Sequence, residues 1–332
     1  MMQSSTIRLL QMNALVGDID ANLKALAEAA NDARADGISM LIAPELALTG
    51  YPPEDLLLRP ALIDKLNAAE PQLCAISQGL TLLIGAPSEI PREADVWGLG
   101  NHTAGPASLW NSLVVYQDGK RLSTYHKQSL PNYQVFDERR YFVHGTESKV
   151  CEINGLRVGL LVCEDVWVPH IVEATCELGV DFIVVINASP FAEGKVSERH
   201  SHLQHRASEN GIPIAYVNLV GGQDELVFDG GSCAVNRRGD LVAHANFFVE
   251  ECLDITWDGQ DFIGHDIAPV PSQDWLLYQA LVTGVRDYFA KTGFKKAVLG
   301  LSGGIDSALT LAVAVDALGA ENVHAVMMPY LY

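Results

Sequence analysis

Short apolar runs alternate with amphipathic stretches along most of this chain. Residues 6–12, 38–43, 80–86, 156–162, 181–187 and 214–220 have the length and near-continuous apolar character of buried strands. Residues 20–36, 169–178 and 197–209 carry helical spacing; Asp20 or Asn22 is placed to cap the first. Residues 55–73 are helical in parts, broken by Pro60 and Pro71. Asp118-Gly119 and Asn154-Gly155 punctuate two hairpins, 110–126 and 150–162, and Arg237-Arg238-Gly239 turns between 230–236 and 241–245. Residues 91–108 are irregular and read as an exposed loop. Alternating strands and helices with added hairpins predict an α/β sandwich.

Periodicity fades from 257 to 274, where Gly264, Pro269 and Pro271 suggest a linker. A helix at 275–292, a strand at 297–301, a loop at 302–307, a helix at 308–318 and a strand at 323–328 follow. The expected organisation is a domain at 5–256, a linker at 257–274 and a second α/β domain at 275–332. The last holds about one β-α-β unit, and a parallel sheet needs more elements than that to cover both faces, so it is expected to be incomplete.

Composition narrows the function classes. At 332 residues, with 48% hydrophobic and 19% charged positions, the chain is an ordinary globular protein. Its net charge of −19 argues against binding nucleic acid or an anionic membrane, both of which select basic surface. The first residues lack the zones of a signal peptide, and no apolar run approaches the roughly 18 residues of a membrane span. Cys74, Cys151, Cys163, Cys176, Cys233 and Cys252 show no CxxC spacing; they read as reduced thiols of a cytoplasmic protein.

Three residues stand at the ends of strand-like runs with complementary chemistry. Cys163 closes the run 156–162, where open α/β sheets place their functional groups; taken alone it also fits a core thiol. Glu45 follows the strand at 38–43, and Lys127 follows the hairpin strand ending at His126; taken alone, both fit surface charges. A cation beside a thiol lowers its pKa, a carboxylate relays a proton, and an ammonium with a backbone N–H after Cys163 holds an oxyanion.

In context these residues resemble the nitrilase superfamily. The matching blocks are Ala43-Pro44-Glu45-Leu46 before Thr49-Gly50-Tyr51-Pro52, Tyr125-His126-Lys127-Gln128-Ser129-Leu130-Pro131, and Val162-Cys163-Glu164-Asp165-Val166-Trp167. The resemblance spans 6 to about 255. It implies an αββα sandwich that hydrolyses or transfers carbon–nitrogen acyl groups through a thioester, with Glu45, Lys127 and Cys163 catalytic. Many members carry a second glutamate after the lysine, for which Glu138 is the candidate, with Glu164 also close. The superfamily tends to oligomerise, which implies a homo-oligomer.

A second signal is Ser302-Gly303-Gly304-Ile305-Asp306-Ser307 after Gly300-Leu301, between strand and helix. Glycines admit an anion to the backbone, and the helix start would bind phosphate. The string lacks the Gly-Lys-Ser/Thr of a Walker loop and resembles the pyrophosphate loop of the ATP pyrophosphatases. The second domain is therefore read as a truncated Rossmann-like unit, with Gly300 to Ser307 as the ATP-binding segment. A nitrilase-like domain ahead of that loop resembles the glutamine-dependent NAD synthetase family. Further strings resemble it too: 130–133 with 135–142, 187–191, 218–222 and 326–330. The resemblance implies that Cys163 attacks the glutamine amide with Glu45 as base and Lys127 supporting the intermediate. It implies that Tyr133, Ser189 and Lys195 contact glutamine and that Glu164 meets its amino group. The released ammonia would amidate adenylated nicotinate adenine dinucleotide, with ATP and Mg²⁺ serving the complete enzyme and no tightly bound cofactor. Residues 91–108 look like an insertion, and the family's synthetase domain continues past Tyr332, so this chain is expected to retain at most glutaminase activity.

His200, His202 and His205 suggest a metal, but only His202 and His205 share a helical face and no fourth ligand is evident; no metal site is expected. The competing readings are a stand-alone amidase or carbamoylase with a C-terminal remnant, and a non-catalytic assembly module. The loop at 302–307 separates the first reading from the amidase.

Overall fold

The computed structural model describes residues 5–90, 109–264 and 267–328. The stretch read as an insertion, 91–108, lies outside them, as does part of the string at 326–330. The strands of the first sheet are β1 Ser5–Gln11, β2 Met40–Ile42, β3 Thr81–Glu89, β4 Leu109–Gln117 and β5 Lys120–His126. Next come β6 Lys149–Ile153, β7 Leu156–Val162, β8 Phe182–Asn187, β9 Ile214–Asn218, β10 Val220–Gln223, β11 Leu226–Asp229, β12 Cys233–Val235 and β13 Leu241–His244. Then follow β14 Glu251–Trp257, β15 Phe262–Ile263, β16 Ala297–Leu301 and β17 Val323–Met327. The helices are α1 Ile19–Ala35, α2 Pro60–Ile76, α3 Pro169–Glu177, α4 Lys195–Asn210, α5 Gln273–Thr292 and α6 Ile305–Leu318.

Two mixed sheets face each other. One has the order β15-β14-β1-β2-β3-β4-β5, the other β13-β12-β9-β8-β7-β6. β1-β2-β3 and β7-β8-β9 are parallel at the centres of their sheets, flanked by antiparallel strands. The central strands read as unbroken apolar runs because both their faces are covered. Ile7, Leu9, Ile42 and Leu83 of one sheet join Val158, Leu160, Val184 and Val217 of the other in a single inter-sheet core. α1 and α2 cover the outer face of the first sheet through Leu23, Leu26, Ala30 and Leu73, and α3 and α4 cover the second through Ile171, Val172, Leu203 and Ala207. The result is an αββα sandwich, followed by a β16-α6-β17 unit with parallel strands.

The structure corrects several local expectations. Asp18 caps α1, accepting from the Ala21 N–H at 3.0 Å. Asn22 instead lies inside the helix, its buried amide bonded to Leu15 and Leu48 backbone. α2 starts at Pro60, where no amide hydrogen is needed, and runs through Pro71, which forgoes one backbone bond. The strand expected at 214–220 splits after Asn218, and β10 and β11 form a separate hairpin hidden in the sequence by Gly221 and Gly222. β14, half polar in sequence, pairs along its whole length with β1. β15 extends the same sheet edge, inside the stretch read as linker. α4 begins at Lys195 and α6 at Ile305, so Ile305, Asp306 and Ser307 form a first helical turn rather than loop.

The turn after β2 leans directly on β3. A Cβ on Gly85 would lie 2.5 Å from Glu45 Cα and press on the Leu46 nitrogen. Backbone cannot yield as a flexible side chain does, so Gly85→Ala is expected to lower stability by about 2 kcal/mol or more. The urea-unfolding midpoint of the purified variant against the parent checks this.

Candidate functional site

Strand ends from both sheets converge. Glu45 follows β2, Lys127 follows β5, Cys163 follows β7, and Ala188 and Ser189 follow β8. Cys163 sits in the left-handed region at φ 49°, as Leu46 does at φ 47° beside Glu45. A non-glycine residue holds that conformation only where its surroundings impose it, at a cost on the order of 1–3 kcal/mol. Here the chain turns sharply from β7 into the short helix Cys163–Trp167 and brings the cysteine to the strand tip.

At the centre is Lys127, fully buried. Its ammonium donates to Glu45 Oε1 at 2.7 Å and to Glu138 Oε1 at 2.8 Å. Glu45 also accepts from Asn111 Nδ2 at 2.7 Å and, on its other oxygen, from the Ala188 N–H at 2.9 Å. Glu138 accepts from the Tyr51 hydroxyl at 2.9 Å. Its other oxygen has no partner among the described residues. Thus Glu45 and Lys127, which alone would fit surface charges, have no exposure at all, and the charged run 137–140 contributes one buried carboxylate.

Electrostatics follow from this packing. Burial opposes charge on Lys127, but Glu138 and Glu45 outweigh it and push its pKa well up, so it is an ammonium. Burial lifts Glu138 to about 7, with Lys127 opposing and Glu45 adding to the rise. The expectation that a cation lowers the Cys163 pKa is corrected. Burial first, then the Glu45 charge, drives it well above its ordinary value, and Lys127 only partly offsets them. The lysine's charge is already shared by two carboxylates, so the resting group is a thiol.

Asp165 holds the scaffold. Its buried carboxylate accepts from the N–H groups of Gln128 at 3.1 Å, Ser129 at 2.7 Å and Val162 at 3.1 Å, and from the Tyr125 hydroxyl at 2.8 Å. It thereby staples the residues after Lys127 to the residue before Cys163. Burial raises it to about 6, with the Ser129 N–H resisting.

Cys163 opens on a cavity of about 570 Å³ whose lining includes Tyr133, Glu164, Ser189 and Lys195. The residues read from sequence as glutamine contacts thus meet around one space. The Tyr133 hydroxyl lies 3.1 Å from both Glu164 oxygens. Ser189 is fixed through its N–H to Asn218 Oδ1 at 2.9 Å. Lys195 pairs with Glu198 at 3.1 Å and stands 4.1 Å from the centre of the Trp167 ring. Asn111, Tyr51, Asp165 and Asn218 were missed as site residues. Tyr51 and Asp165 lie inside the matching blocks, Asn111 shows as a polar residue in an apolar strand, and Asn218 opens the family-like string 218–222. His200 faces His244, His202 lies tilted against Trp167 and His205 pairs with Glu209. Among the described residues no three His, Cys, Asp or Glu side chains gather as a metal site.

The second unit places Ser302, Gly303 and Gly304 between β16 and α6, and Ile305, Asp306 and Ser307 in the first turn of α6. Gly303 has φ 88°, Gly304 is the extended residue before the helix, and the Ser302 and Ser307 hydroxyls are 3.2 Å apart. Ile305, Asp306 and Ser307 belong to the first turn, whose amide hydrogens have no helical acceptor, and the segment fits an anion.

Comparison with known proteins agrees with this architecture. Residues 6–261 match the carbon-nitrogen hydrolase family. The chain belongs to that family. Residues 277–332 match the NAD synthase family. A glutamine-dependent NAD(+) synthetase of Acinetobacter baylyi is 40% identical over the whole chain, which covers 59% of that relative. The glutamine-dependent NAD+ synthetase of Acinetobacter baumannii, solved with ADP, is 39% identical with a TM-score of 0.92, over 99% of this chain and 60% of that one. This carbon-nitrogen hydrolase family member therefore spans about 60% of the length of such relatives. A mutant amidase from Nesterenkonia sp. AN1, with the acetamide moiety of fluoroacetamide covalently added at its active-site cysteine, is 28% identical with a TM-score of 0.66 over 76% of this chain and 90% of that one. No described helix is long and apolar enough to cross a membrane.

Glu138 makes a pH prediction. Its folded pKa, about 7, lies above its ordinary 4.5, so the native state holds the extra proton between those values. Stability should fall as pH rises from 4.5 through 7, by on the order of 2–3 kcal/mol from this group. Asp165 acts in the same direction between 3.8 and about 6. In urea midpoints measured across pH, Glu138→Gln should flatten the decline between pH 6 and 7 and lessen it between 4.5 and 6, where the share of Asp165 remains.

Proposed function

We propose that the sandwich is the glutaminase part of a glutamine-dependent NAD synthetase. In this reading the unit from α5 onward belongs to the part that amidates nicotinate adenine dinucleotide to NAD with ATP and the released ammonia. The observation that carries the reading is Cys163 in a cavity whose wall bears both a cation, Lys195, and carboxylates such as Glu164, in a chain that also carries the anion-fitting loop. Glutamine has a zwitterionic head and a neutral amide tail. Lys195 suits its α-carboxylate, Glu164 its α-ammonium, and Tyr133 and Ser189 its remaining polar atoms.

The reaction then runs on Cys163, Glu45 and Lys127. The sulfur of Cys163 bonds to the amide carbon while its proton passes to Glu45, which suits a group resting as a thiol. The carbonyl oxygen takes up negative charge facing Lys127, two of whose three N–H bonds are committed to Glu45 and Glu138. Glu45 gives the proton to the nitrogen, the carbon–nitrogen bond breaks, and ammonia leaves a thioester. Water then attacks the thioester carbon and gives a proton to Glu45. The carbon–sulfur bond breaks, the sulfur regains that proton, and glutamate departs. Glu138 keeps Lys127 aimed.

The segment from Gly300 to Ser307 is read as the ATP contact, with Mg²⁺ arriving on the triphosphate. Six free cysteines fit a cytoplasmic enzyme, and the superfamily resemblance supports a homo-oligomer.

The test is ammonia release from glutamine by this chain. Cys163→Ala is expected to lower it by roughly a thousandfold or more. Equal release from both proteins would overturn the assignment of Cys163, and preference for another amide would favour the amidase reading.

A further inference from the structure

α5 opens the second unit, yet it is packed on the sandwich. Asp287, in its penultimate turn, is only 4% exposed. One of its carboxylate oxygens accepts from Asn13 Nδ2 at 2.8 Å and from the Gly222 N–H at 2.7 Å. Lys291, one turn on, donates to the Ala14 carbonyl at 3.3 Å. Strand and helix come so close that a Cβ on Gly222 would stand 3.0 Å from Gly284 Cα. The helix therefore grips β10 by a charged hydrogen bond and a glycine-to-glycine contact.

What β10 carries matters for the cavity. Its hairpin partner β11 pairs Val227 with Gly222. Glu225, Leu226 and Val227 line the cavity that Cys163 opens on. The Val227 carbonyl accepts from the Phe191 N–H at 2.7 Å, and Pro190 bridges to Phe228. The segment so held is the one that carries Ser189 and presents the Ala188 N–H to Glu45 at 2.9 Å. A continuous set of contacts thus runs from Asp287 through Gly222 and Val227 to Phe191 and back to Glu45.

We propose that Asp287 is a positioning residue for the amide cavity, so that a helix of the second unit backs one wall of the first unit's site. The proposal rests on the cavity being the glutamine site, as read above. Asp287 touches no reacting atom; it sets where Glu225 to Val227 stand, and so how well the substrate's head is held. Loss of its carboxylate should weaken binding more than chemistry.

The experiment uses the full chain with Asp287→Ala, Asp287→Asn and Gly284→Ala. Asp287→Ala is expected to raise the KM for glutamine tenfold or more, with kcat within threefold of the parent. Asp287→Asn keeps an acceptor oxygen for Gly222 and Asn13 and should stay within threefold in KM. Gly284→Ala breaks no bond and favours the helix, but its methyl would lie 3.3 Å from Val227 Cγ2. It should raise KM without lowering the melting temperature, and it decides the matter if Asp287→Ala fails to fold. An unchanged KM in Asp287→Ala, or in Gly284→Ala when the former is unfolded, overturns the proposal. A second readout is independent of glutamine hydrolysis: the rate at which iodoacetamide alkylates Cys163, followed by mass spectrometry of its peptide. A loosened wall should speed it threefold or more in Asp287→Ala. If the parent hydrolyses no glutamine, the glutaminase reading falls; faster labelling then still supports the wall, and equal labelling overturns it.

Discussion

The buried ammonium of Lys127 is the constraint on which the candidate site depends. A fully buried lysine is tolerated only where its charge is met and its neighbours' lone pairs are filled. Glu45 and Glu138 meet the charge, and Asn111, Ala188 and Tyr51 donate to the carboxylates, leaving one Glu138 oxygen without a partner among the described residues. The contributors come from separate elements, so the ion cluster requires the residues after β2, β5 and β8, the start of β4 and the short helix Glu138–Arg140 to be in place together. Removing any one partner leaves a charge or a polar atom buried without compensation, which costs more than the pair contributes. The same cluster sets the chemistry. Because the lysine's charge is divided between two carboxylates, little is left to draw the proton from Cys163, and a nearby base has to do it.

Much of this was legible in the sequence, for reasons that differ by residue. The central strands were visible because burial on both faces leaves no polar position to blur the run. Glu45, Lys127 and Cys163 were visible because each stands directly after such a run inside a recognisable block. Asn111 and Asn218 were not. Each acts through bonds to residues distant in sequence, so although Asn111 interrupts an apolar strand and Asn218 opens a family-like string, neither shows locally what its amide holds. Asp165 sat in plain view beside Cys163, but its role depends on amides at 128 and 129 that only the fold brings near. The thiol's upward shift was misread because sequence shows a lysine without showing who already holds it.

Elements at the edges were hidden by a different cause. β14 reads as half polar because one side of an edge-region strand faces outward, and its identity comes from pairing with β1 rather than from its own pattern. The β10–β11 hairpin is obscured by glycines, which weaken a strand in isolation but are required where a helix lies against it. Gly222 is costly as a strand residue and necessary as a contact surface, and sequence reports only the cost. The start of α6 was set late for a related reason: Ile305 to Ser307 look like a loop until Gly304 takes an extended conformation and lets the helix begin behind it.

The second unit meets the first through α5. β16 and β17 expose Val298 and Met327 at 74% each, and few of the residues on α6 are buried. Two parallel strands cannot enclose a core. α5 behaves differently: Leu276 and Ala280 join Val196, Phe247 and Phe248 of the sandwich in a shared cluster. α6 in turn is tied to α5, the Tyr278 hydroxyl donating to Asp316 at 2.6 Å. Order in the anion-fitting loop therefore reaches the sandwich through a helix anchored by Asp287 and Leu276. The same helix lies against the β10–β11 hairpin, whose Leu226 and Val227 line the Cys163 cavity.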